Sequence, residues 1–259
     1  MKKSQALLLG AGILSASFLM AACGSTQSNA ADKTYSYVFA SNPDTLDYIT
    51  STRGSTSSIT TNLIDGLLEN DKYGNLVPSM AESWTVSKDG LTYTYKIRQG
   101  AKWYTSEGEE YAEVTAHDFV TGLKYAADKK AENLYLVQDS IKGLADYVEG
   151  QSSDFETVGI KAVDDYTLQY TLNKPESYWN SKTTGGILSP VNEAFLKSKG
   201  DEFGSVTPSS ILSNGPYLFK SFTSKSLIEF EKNPNYWDKD NVKIEKVKLS
   251  FYDGSDQDS

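Results

Sequence analysis

The sequence is poor in the side chains that most enzymes and nucleic-acid-binding proteins rely on. Its 259 residues include one cysteine, Cys23, and one histidine, His117. A single cysteine excludes an intramolecular disulfide and a zinc site built on paired thiolates. Lysine and arginine together number 25, against 34 aspartates and glutamates, which gives a net charge of −9. This charge argues against nucleic acid as a partner and against electrostatic adhesion to anionic lipid.

Catalytic and metal-binding motifs are also missing. No G-x-S-x-G nucleophile elbow occurs, and "HDF" around His117 lacks the second histidine of the zinc motif H-E-x-x-H. The acidic clusters "WDKDN" and "DGSDQD" do not have the spacing of a calcium-binding loop. The pair Asp164-Asp165 is more simply a turn. We therefore expect no enzymatic activity, no bound metal and no cofactor.

The N-terminus has the layout of a secretory signal. After "MKK", residues 6–22 carry no charge and are rich in Leu, Ala and Gly. A basic head, an apolar run and small residues at its end predict a signal peptide at 1–22. The small residues before Cys23 resemble the lipobox of bacterial lipoproteins, with Met20 where Leu is usual, which implies that Cys23 is acylated. The alternative is an ordinary signal peptide cut nearby. Polar residues at 23–34 predict a flexible tether.

The remaining composition is that of a folded domain. Hydrophobic residues make up 39% and aromatic residues 12% of the chain, which is enough for a filled core. Alternating apolar residues predict a strand at 35–39 and two hairpins, one turning at Asp89-Gly90 and one at Asp164-Asp165. Further strands are expected in "SNGPYLFKSF", "SLIEFEKNPNYWD" and "VKIEKVKLSFYDG". The last has Ile244 and Val247 out of phase, which suggests a bulge.

Helical spacing occurs in four places. "SSITTNLIDGLLEND" and "NLYLVQDSIKGLADYVEG" predict amphipathic helices, the second ending at Gly150. Thr115 followed by Asp118 forms a variant capping box at the start of a third helix. "NEAFLKSKGDEFG" predicts a short fourth helix. No repeat of fixed period is present in the sequence. The predicted helices and strands together indicate a mixed α/β (α+β) fold class with antiparallel hairpins.

Five segments resemble one family in order and at close to its spacing. They are "VPSMAESWTVSKDGLTYTYKIRQGAKW", "VTAHDFV", "VGIKAVDDYTLQYTL", "SNGPY" and "EKNPNYWD". This series resembles the oligopeptide-binding lipoproteins of ABC importers, family 5 of the extracellular solute-binding proteins. The resemblance implies the first lobe of a periplasmic-binding-protein-like clamshell with a smaller inserted subdomain, and no second lobe. We expect the main lobe at 35–64 and 193–259, and the inserted subdomain at 65–192.

The resemblance also implies ligand-facing positions. These are Thr52, Arg53, Gly54, Tyr135, Gly185, Asn214, Gly215 and Tyr217, the last three near the lobe junction. The alternatives are a solvated loop charge for Arg53, a core position for Tyr135 and a simple turn for Asn214-Gly215. Trp84, Trp103 and Trp237 are expected to fill the core.

The expected function is extracytoplasmic peptide binding. In the family, an extended peptide is held mainly through its backbone, a form of strand addition that tolerates many sequences. The implied partners are oligopeptides and the permease and ATPase subunits of an ABC transporter, with the binding protein a lipid-anchored monomer on the outer face of the cell membrane. Because the second lobe is absent, we expect the chain alone to be marginally stable and to bind peptides weakly. The alternatives are a surface adhesin or peptide sensor, or the product of an interrupted gene.

Overall fold

The computed structural model describes residues 33–252. The predicted signal peptide, Cys23 and the predicted tether up to residue 32 lie outside the described residues. The tether prediction extends to Thr34, where the first strand begins, and Lys33 is paired there with Glu245 at 3.3 Å. No helix within residues 33–252 is both long enough and apolar enough to span a bilayer.

Strands and short helices alternate along the described chain. The strands are β1 (Thr34–Phe39), β2 (Leu68–Asn70), β3 (Leu76–Pro78), β4 (Ala81–Val86), β5 (Thr92–Ile97), β6 (Lys102–Tyr104), β7 (Glu110–Glu113), β8 (Ile160–Asp164), β9 (Thr167–Thr171), β10 (Tyr217–Thr223), β11 (Leu227–Lys232) and β12 (Lys246–Phe251). The α-helices are α1 (Gly54–Thr60), α2 (Ala116–Asp128), α3 (Leu144–Val148), α4 (Trp179–Lys182) and α5 (Glu193–Lys199). This arrangement confirms the mixed α/β class.

The first of two four-stranded sheets joins the two ends of the described chain. Its strand order is β1-β12-β11-β10, with β1 parallel to β12 and the other pairs antiparallel. Tyr35 lies opposite Val247, and Phe219 lies opposite Phe230. The strands predicted in the last part of the sequence are therefore confirmed, and they lie next to the first strand of the described chain.

The second four-stranded sheet contains both predicted hairpins. Its order is β4-β5-β9-β8, antiparallel throughout. The turn between β4 and β5 contains Gly90 at φ +73°, a conformation that glycine adopts without steric penalty. This sheet lies within 65–192, whereas the first sheet uses residues from both parts of the predicted main lobe. The division into a main lobe and an inserted subdomain itself stays a prediction.

The longest helix, α2, begins as predicted. The carboxylate of Asp118 accepts the backbone N–H of Thr115 at 2.9 Å, which satisfies one of the free donors at the helix start. Phe119, Leu123 and Ala126 are buried on its inner face. The periodicity of this segment therefore identified the face that packs on the core.

The core is rich in aromatic side chains. Trp103 and Trp179 are almost fully buried, and Trp179 packs against Tyr170 with ring centroids 5.2 Å apart. The core prediction is confirmed for Trp103. Trp84 and Trp237 are half-buried and pack against the edge of the core.

The helix predicted over 57–71 is wrong in its extent. The helix α1 ends at Thr60, and Leu68 already belongs to β2. Between them Leu63, Ile64 and Leu67 are all buried, so their apolar spacing reflects a loop surrounded by protein and not one helix face. A Cβ on Gly66 would lie 2.8 Å from the carbonyl oxygen of Thr183, so this loop packs directly against backbone.

Two further local predictions are wrong. The helix predicted over 133–150 is divided into a 3₁₀ turn at Glu132–Leu136 and the short α3. Between them Ile141 bridges to Leu172, and Gly143 adopts a left-handed conformation at φ +70° directly before α3. The predicted bulge in the last strand is absent from the described β12, which begins at Lys246, after Ile244. The register shift in this sheet lies in β10 instead.

Candidate functional site

Three of the predicted ligand-facing residues line one open, polar cleft. Thr52 and Arg53 belong to the loop that precedes α1, and Gly54 is the first residue of that helix. All three face the turn at 129–132 after α2. The hydroxyl of Thr52 lies 3.5 Å from a carboxylate oxygen of Glu132, a long hydrogen bond across the cleft. The cleft is therefore lined mainly by hydroxyl groups and charges.

A buried aspartate holds the loop in this shape. One carboxylate oxygen of Asp47 accepts the backbone N–H groups of Ile49 and Thr50, each at 3.1 Å. The other accepts hydroxyl donors from Thr50 at 2.7 Å and Tyr125 at 2.8 Å. These bonds fix the loop to α2, which carries Tyr125. Asp47 was not among the predicted site residues, although an aspartate after "NPDTL" is typical of a turn.

Arg53 is exposed at the edge of this cleft. Its guanidinium pairs with Asp44 at 2.7 Å, and 68% and 55% of the two side chains are exposed. An ion pair this exposed contributes at most about 1 kcal/mol to stability, since solvent screens it. The structure is thus compatible both with a solvated loop charge and with a charge available to a ligand.

Tyr135 lies three residues after Glu132, which lines the same cleft. It belongs to the 3₁₀ turn that begins at Glu132, and 74% of its surface is exposed. The alternative that Tyr135 fills the core is therefore wrong. An exposed tyrosine combines an apolar face with a hydrogen-bonding tip, which suits ligand contact; its contact with a ligand stays a prediction.

Gly185 lines a different pocket, beside α1. This pocket also contains Thr60, Thr61 and Asp65. Gly185 has φ +146°, a conformation in which a residue with a side chain would be strained. The backbone here therefore favours glycine, where the resemblance implies a larger residue in some family members.

Asn214, Gly215 and Tyr217 lie inside the protein and not on the surface of either pocket. The side chain of Asn214 accepts the N–H of Asp65 at 2.9 Å and donates to its carbonyl at 3.3 Å. A Cβ on Gly215 would lie 2.8 Å from the backbone of Leu63. Tyr217 is 9% exposed and its hydroxyl donates to the carbonyl of Ile244. These residues form a buried turn that fastens β10 to the loop after α1, as the turn alternative implied.

The loop after α1 contains a buried carboxylate, Asp65, that was not among the predicted site residues. Asp65 is 8% exposed and accepts hydrogen bonds from the Tyr236 hydroxyl at 2.8 Å and the Trp237 indole N–H at 3.2 Å. Burial raises the pKa of Asp65 to about 6, although both hydrogen bonds oppose this shift. The donors come from "NPNYWD", a segment the sequence predicted only as the end of a strand.

Metal-ligating side chains do not cluster within residues 33–252. No group of three or more histidine, cysteine, aspartate or glutamate residues in this range is placed to hold a metal ion. Lys182 donates to Ser140 at 2.8 Å, a contact that resembles a Ser–Lys pair, but it also pairs with the buried Glu176 at 3.0 Å. The Lys182 ammonium is therefore part of an ion pair with a buried carboxylate.

Comparisons with known proteins agree with this architecture. The profile described as "Bacterial extracellular solute-binding proteins, family 5 Middle" matches residues 75–259. Oligopeptide-binding protein AliA of Streptococcus pneumoniae is 65% identical over 258 residues, and oligopeptide-binding protein SarA of Streptococcus gordonii is 63% identical over 265 residues. Each alignment covers 99% of this chain, and 39% and 40% of the relatives respectively.

A solved structure shows the same fold. Listeria monocytogenes OppA bound to peptide superposes with a TM-score of 0.79 at 32% identity, over 86% of this chain and 43% of that one. The chain thus spans about two fifths of the length of the relatives it matches, as expected for the first lobe of a larger binding protein. The profile match and the shared fold together show that this chain belongs to family 5 of the bacterial extracellular solute-binding proteins.

Proposed function

We propose that this chain binds oligopeptides outside the cell membrane and serves their uptake by an ABC transporter, with Cys23 as a lipid anchor. One observation carries the proposal. Of the positions that the family resemblance assigns to the ligand, Thr52–Gly54 and Gly185 line open pockets next to α1, and Tyr135 is exposed, which supports the proposal. The similar Listeria protein was solved with bound peptide, which supports the same class of ligand here.

The proposed mechanism follows from the chemistry of these surfaces. Hydroxyl groups and backbone amides bind a peptide main chain with little regard for its side chains, so one site accepts many sequences. In the longer relatives, closure of a second lobe on the peptide would divide the binding energy between direct contacts and closure. Separate subunits of the transporter would use ATP, so this chain needs no cofactor.

Peptide binding is tested by titrating the ¹⁵N-labelled chain with pools of peptides of three to nine residues at millimolar concentration. We expect amide shifts concentrated at residues 52–54, at Tyr135 and at Gly185, with affinity weaker than micromolar because this chain spans about two fifths of the length of its relatives. If no peptide pool shifts any of these amide resonances, the proposal for this chain is contradicted. Micromolar binding would contradict the expectation that a single lobe binds weakly.

Lipid anchoring needs its own test. In a bacterial host, labelled palmitate should enter the wild-type chain and not the Cys23→Ser variant, and globomycin should cause the precursor to accumulate. An anchored chain remains near the permease, which raises its effective concentration there. Release of an unlabelled mature chain into the medium would support the alternative of an ordinary signal peptide.

A further inference from the structure

Each of the two four-stranded sheets has two edge strands, whose outer backbone groups lack a partner in the sheet. The edge strands are β1 and β10 in the first sheet and β4 and β8 in the second. An edge strand can pair with a further strand, and proteins commonly prevent this with a charged side chain or a β-bulge. Three of these strands have both features. They contain Glu82 in β4, Lys161 in β8 and Lys220 in β10, and each has a register shift.

The strand β1 has neither feature. Its sequence is TYSYVF, and no charged residue or proline occurs from Thr34 to Asn42. Its pairing with β12 continues from Thr34 to Phe39 without a register shift. Tyr35 and Val38 remain 55% and 65% exposed. Among the edges of the two four-stranded sheets, as described over residues 33–252, β1 is therefore the unprotected one.

The parallel pairing with β12 decides which backbone groups of β1 face outward. The carbonyl oxygens of Lys33 and Phe39 accept backbone N–H groups from the β12 side, at 3.3 and 3.0 Å. Backbone groups alternate in direction along a strand, so the odd-numbered residues from 33 to 39 face β12. The N–H and C=O groups of Thr34, Ser36 and Val38 consequently face the free edge. Within residues 33–252, β1 pairs with β12 alone.

A second copy of β1 is complementary to this edge. Two identical strands that pair antiparallel are related by a twofold axis perpendicular to the sheet, so residues on the same face lie opposite each other. Pairing of the free groups about the centre of the strand places Ser36 opposite Ser36 of the second copy, and Thr34 opposite Val38. The same register places Tyr35 opposite Tyr37. Because the strand has no charge, the copies meet here without direct repulsion.

A pocket beside β1 accommodates one of these tyrosines. It has a cavity volume of about 260 Å³ and is lined by both β1 and α1. Its apolar walls come from Tyr37, Phe39, Ile59, Ile228 and Leu249. A cavity of about 150 Å³ holds a benzene ring, so this pocket has room for the phenol ring of Tyr35 from the second copy. The twofold axis makes the contact reciprocal, with one tyrosine and one pocket from each copy.

We propose that two copies of this chain associate through their β1 strands, which pair antiparallel and join the two first sheets into one sheet of eight strands. The inference does not rest on the proposed function, and it differs from the monomer that the resemblance implies. The contact is one short strand and one side chain from each copy, whereas stable dimers bury about 1,200 Å² or more. We therefore expect weak association, with a dissociation constant on the order of 100 μM.

Sedimentation equilibrium of the full chain tests the association. The chain is kept reduced, so that Cys23 cannot link two copies through a disulfide. Between about 10 μM and about 1 mM, the average mass should rise toward twice that of one chain. A chain that remains monomeric at the highest concentration would overturn the proposal.

Hydrogen exchange at the same concentrations locates the contact. The amides of Ser36 and Val38 should exchange quickly in the dilute sample and slowly in the concentrated one. The amides of Tyr35 and Tyr37 should exchange slowly in both, because they face β12. Exchange at Ser36 and Val38 that does not depend on concentration would overturn the proposal, and constant protection would mean that another segment of the same chain covers the edge. If added oligopeptides, and not concentration, slow these two amides, the edge binds peptide and not a second copy.

Two variants separate the strand from the side chain. Ser36→Pro removes a donor at the free edge and keeps the bonds to β12, so it should abolish association while the circular dichroism spectrum stays unchanged. Tyr35→Ala removes the ring assigned to the pocket and should weaken association at least fivefold. Tyr178→Ala is the matched control, since Tyr178 is 56% exposed and lies outside β1 and its pocket, and it should associate like the wild type.

The variants also decide against other surfaces. Association that is as strong in Ser36→Pro and Tyr35→Ala as in the wild type would arise elsewhere, for example from the apolar run at 6–22, and would overturn the proposal. If Ser36→Pro fails to fold, Tyr35→Ala still decides the outcome, because it truncates an exposed side chain. Equal losses in Tyr35→Ala and Tyr178→Ala would likewise exclude the assigned pocket.

Discussion

The hydroxyl of Tyr236 donates a 2.8 Å hydrogen bond to the carboxylate of Asp65, although 171 positions of sequence separate the two residues. The indole N–H of Trp237 donates to the same oxygen at 3.2 Å. Asn214 holds the backbone of Asp65 from a third segment. The loop after α1 is thus fixed by contacts with the segments before β10 and after β11, and the pocket beside α1 depends on these contacts.

Removing the Tyr236 hydroxyl should destabilise the fold. Tyr236→Phe leaves a buried carboxylate with one donor fewer, so we expect the free energy of unfolding to fall by about 2 kcal/mol. Urea denaturation followed by tryptophan fluorescence measures this. Tyr178→Phe is the matched control, since Tyr178 is 56% exposed, and it should change stability by less than about 0.5 kcal/mol. Equal effects of the two variants would argue against a structural role for the hydrogen bond.

Asp65 should also impose a pH dependence on stability. Its pKa is about 6 in the folded chain, against an ordinary value of 3.8, so the folded state holds a proton that the unfolded state releases between these pH values. The free energy of unfolding should therefore fall as pH rises through this window, by at most about 3 kcal/mol from this group. Asp118, also raised to about 6, acts in the same direction.

The Asp65→Asn variant isolates this contribution. The amide has no proton to lose, so the fall in stability between pH 4 and pH 6 should become shallower. Denaturation midpoints at several pH values give the slope. Glu156→Gln, an exposed substitution, should leave the wild-type slope unchanged. A slope in Asp65→Asn as steep as that of the wild type would show that burial does not raise the pKa of Asp65.

Two glycine-to-alanine substitutions should differ clearly in their effect on stability. Alanine normally favours a helix over glycine by about 1 kcal/mol. In Gly122→Ala, however, the new Cβ would lie 2.2 Å from the carbonyl oxygen of Ser189, so we expect a loss of at least about 2 kcal/mol. Gly54→Ala has nothing within 4 Å and should be neutral or slightly stabilising. Thermal denaturation compares them, and a neutral Gly122→Ala would mean that α2 can move away from residue 189.

Tyr135 should matter for binding and not for stability. Because 74% of its surface is exposed, Tyr135→Ala should change the free energy of unfolding by less than about 0.5 kcal/mol while weakening the peptide-induced shifts severalfold. Tyr73→Ala is matched in exposure, at 75%, and Tyr73 lies in the turn between β2 and β3, which the family resemblance does not assign to the ligand. Equal losses of binding in both variants, or none in Tyr135→Ala, would remove Tyr135 from the proposed site.

Local signals predicted those elements whose ends are set by nearby residues. The Asp89-Gly90 turn located the first hairpin, and the spacing of Thr115 and Asp118 located the start of α2. The prediction of a helix over 57–71 was wrong because periodicity cannot distinguish one buried helix face from a loop enclosed on all sides. The helix predicted over 133–150 was wrong because tertiary contacts interrupt it. Ile141 bridges to Leu172, and Gly143 packs so closely that a Cβ there would lie 2.8 Å from the Thr157 carbonyl oxygen.

The sequence also predicted only part of the candidate site. Family resemblance selected Thr52, Arg53, Gly54 and Gly185, which line accessible pockets in the structure. It also selected Asn214 and Gly215, whose positions are explained by buried backbone contacts. Asp47 and Asp65 were not selected. The burial of these two carboxylates depends on donors that lie far away in sequence. Neither the burial nor the donors can be inferred from the residues next to Asp47 or Asp65 in the chain.

The sequence by itself determined the fold class, the family and the hairpins, since these depend on residue patterns within about thirty positions and on motifs in a fixed order. Only the tertiary structure decided that β1 lies parallel to β12 and that Asp65 is enclosed by Tyr236 and Trp237. The physical reason is that strand pairing over 200 positions and the desolvation of a carboxylate depend on how the whole domain packs. The pocket beside α1 is a product of that packing.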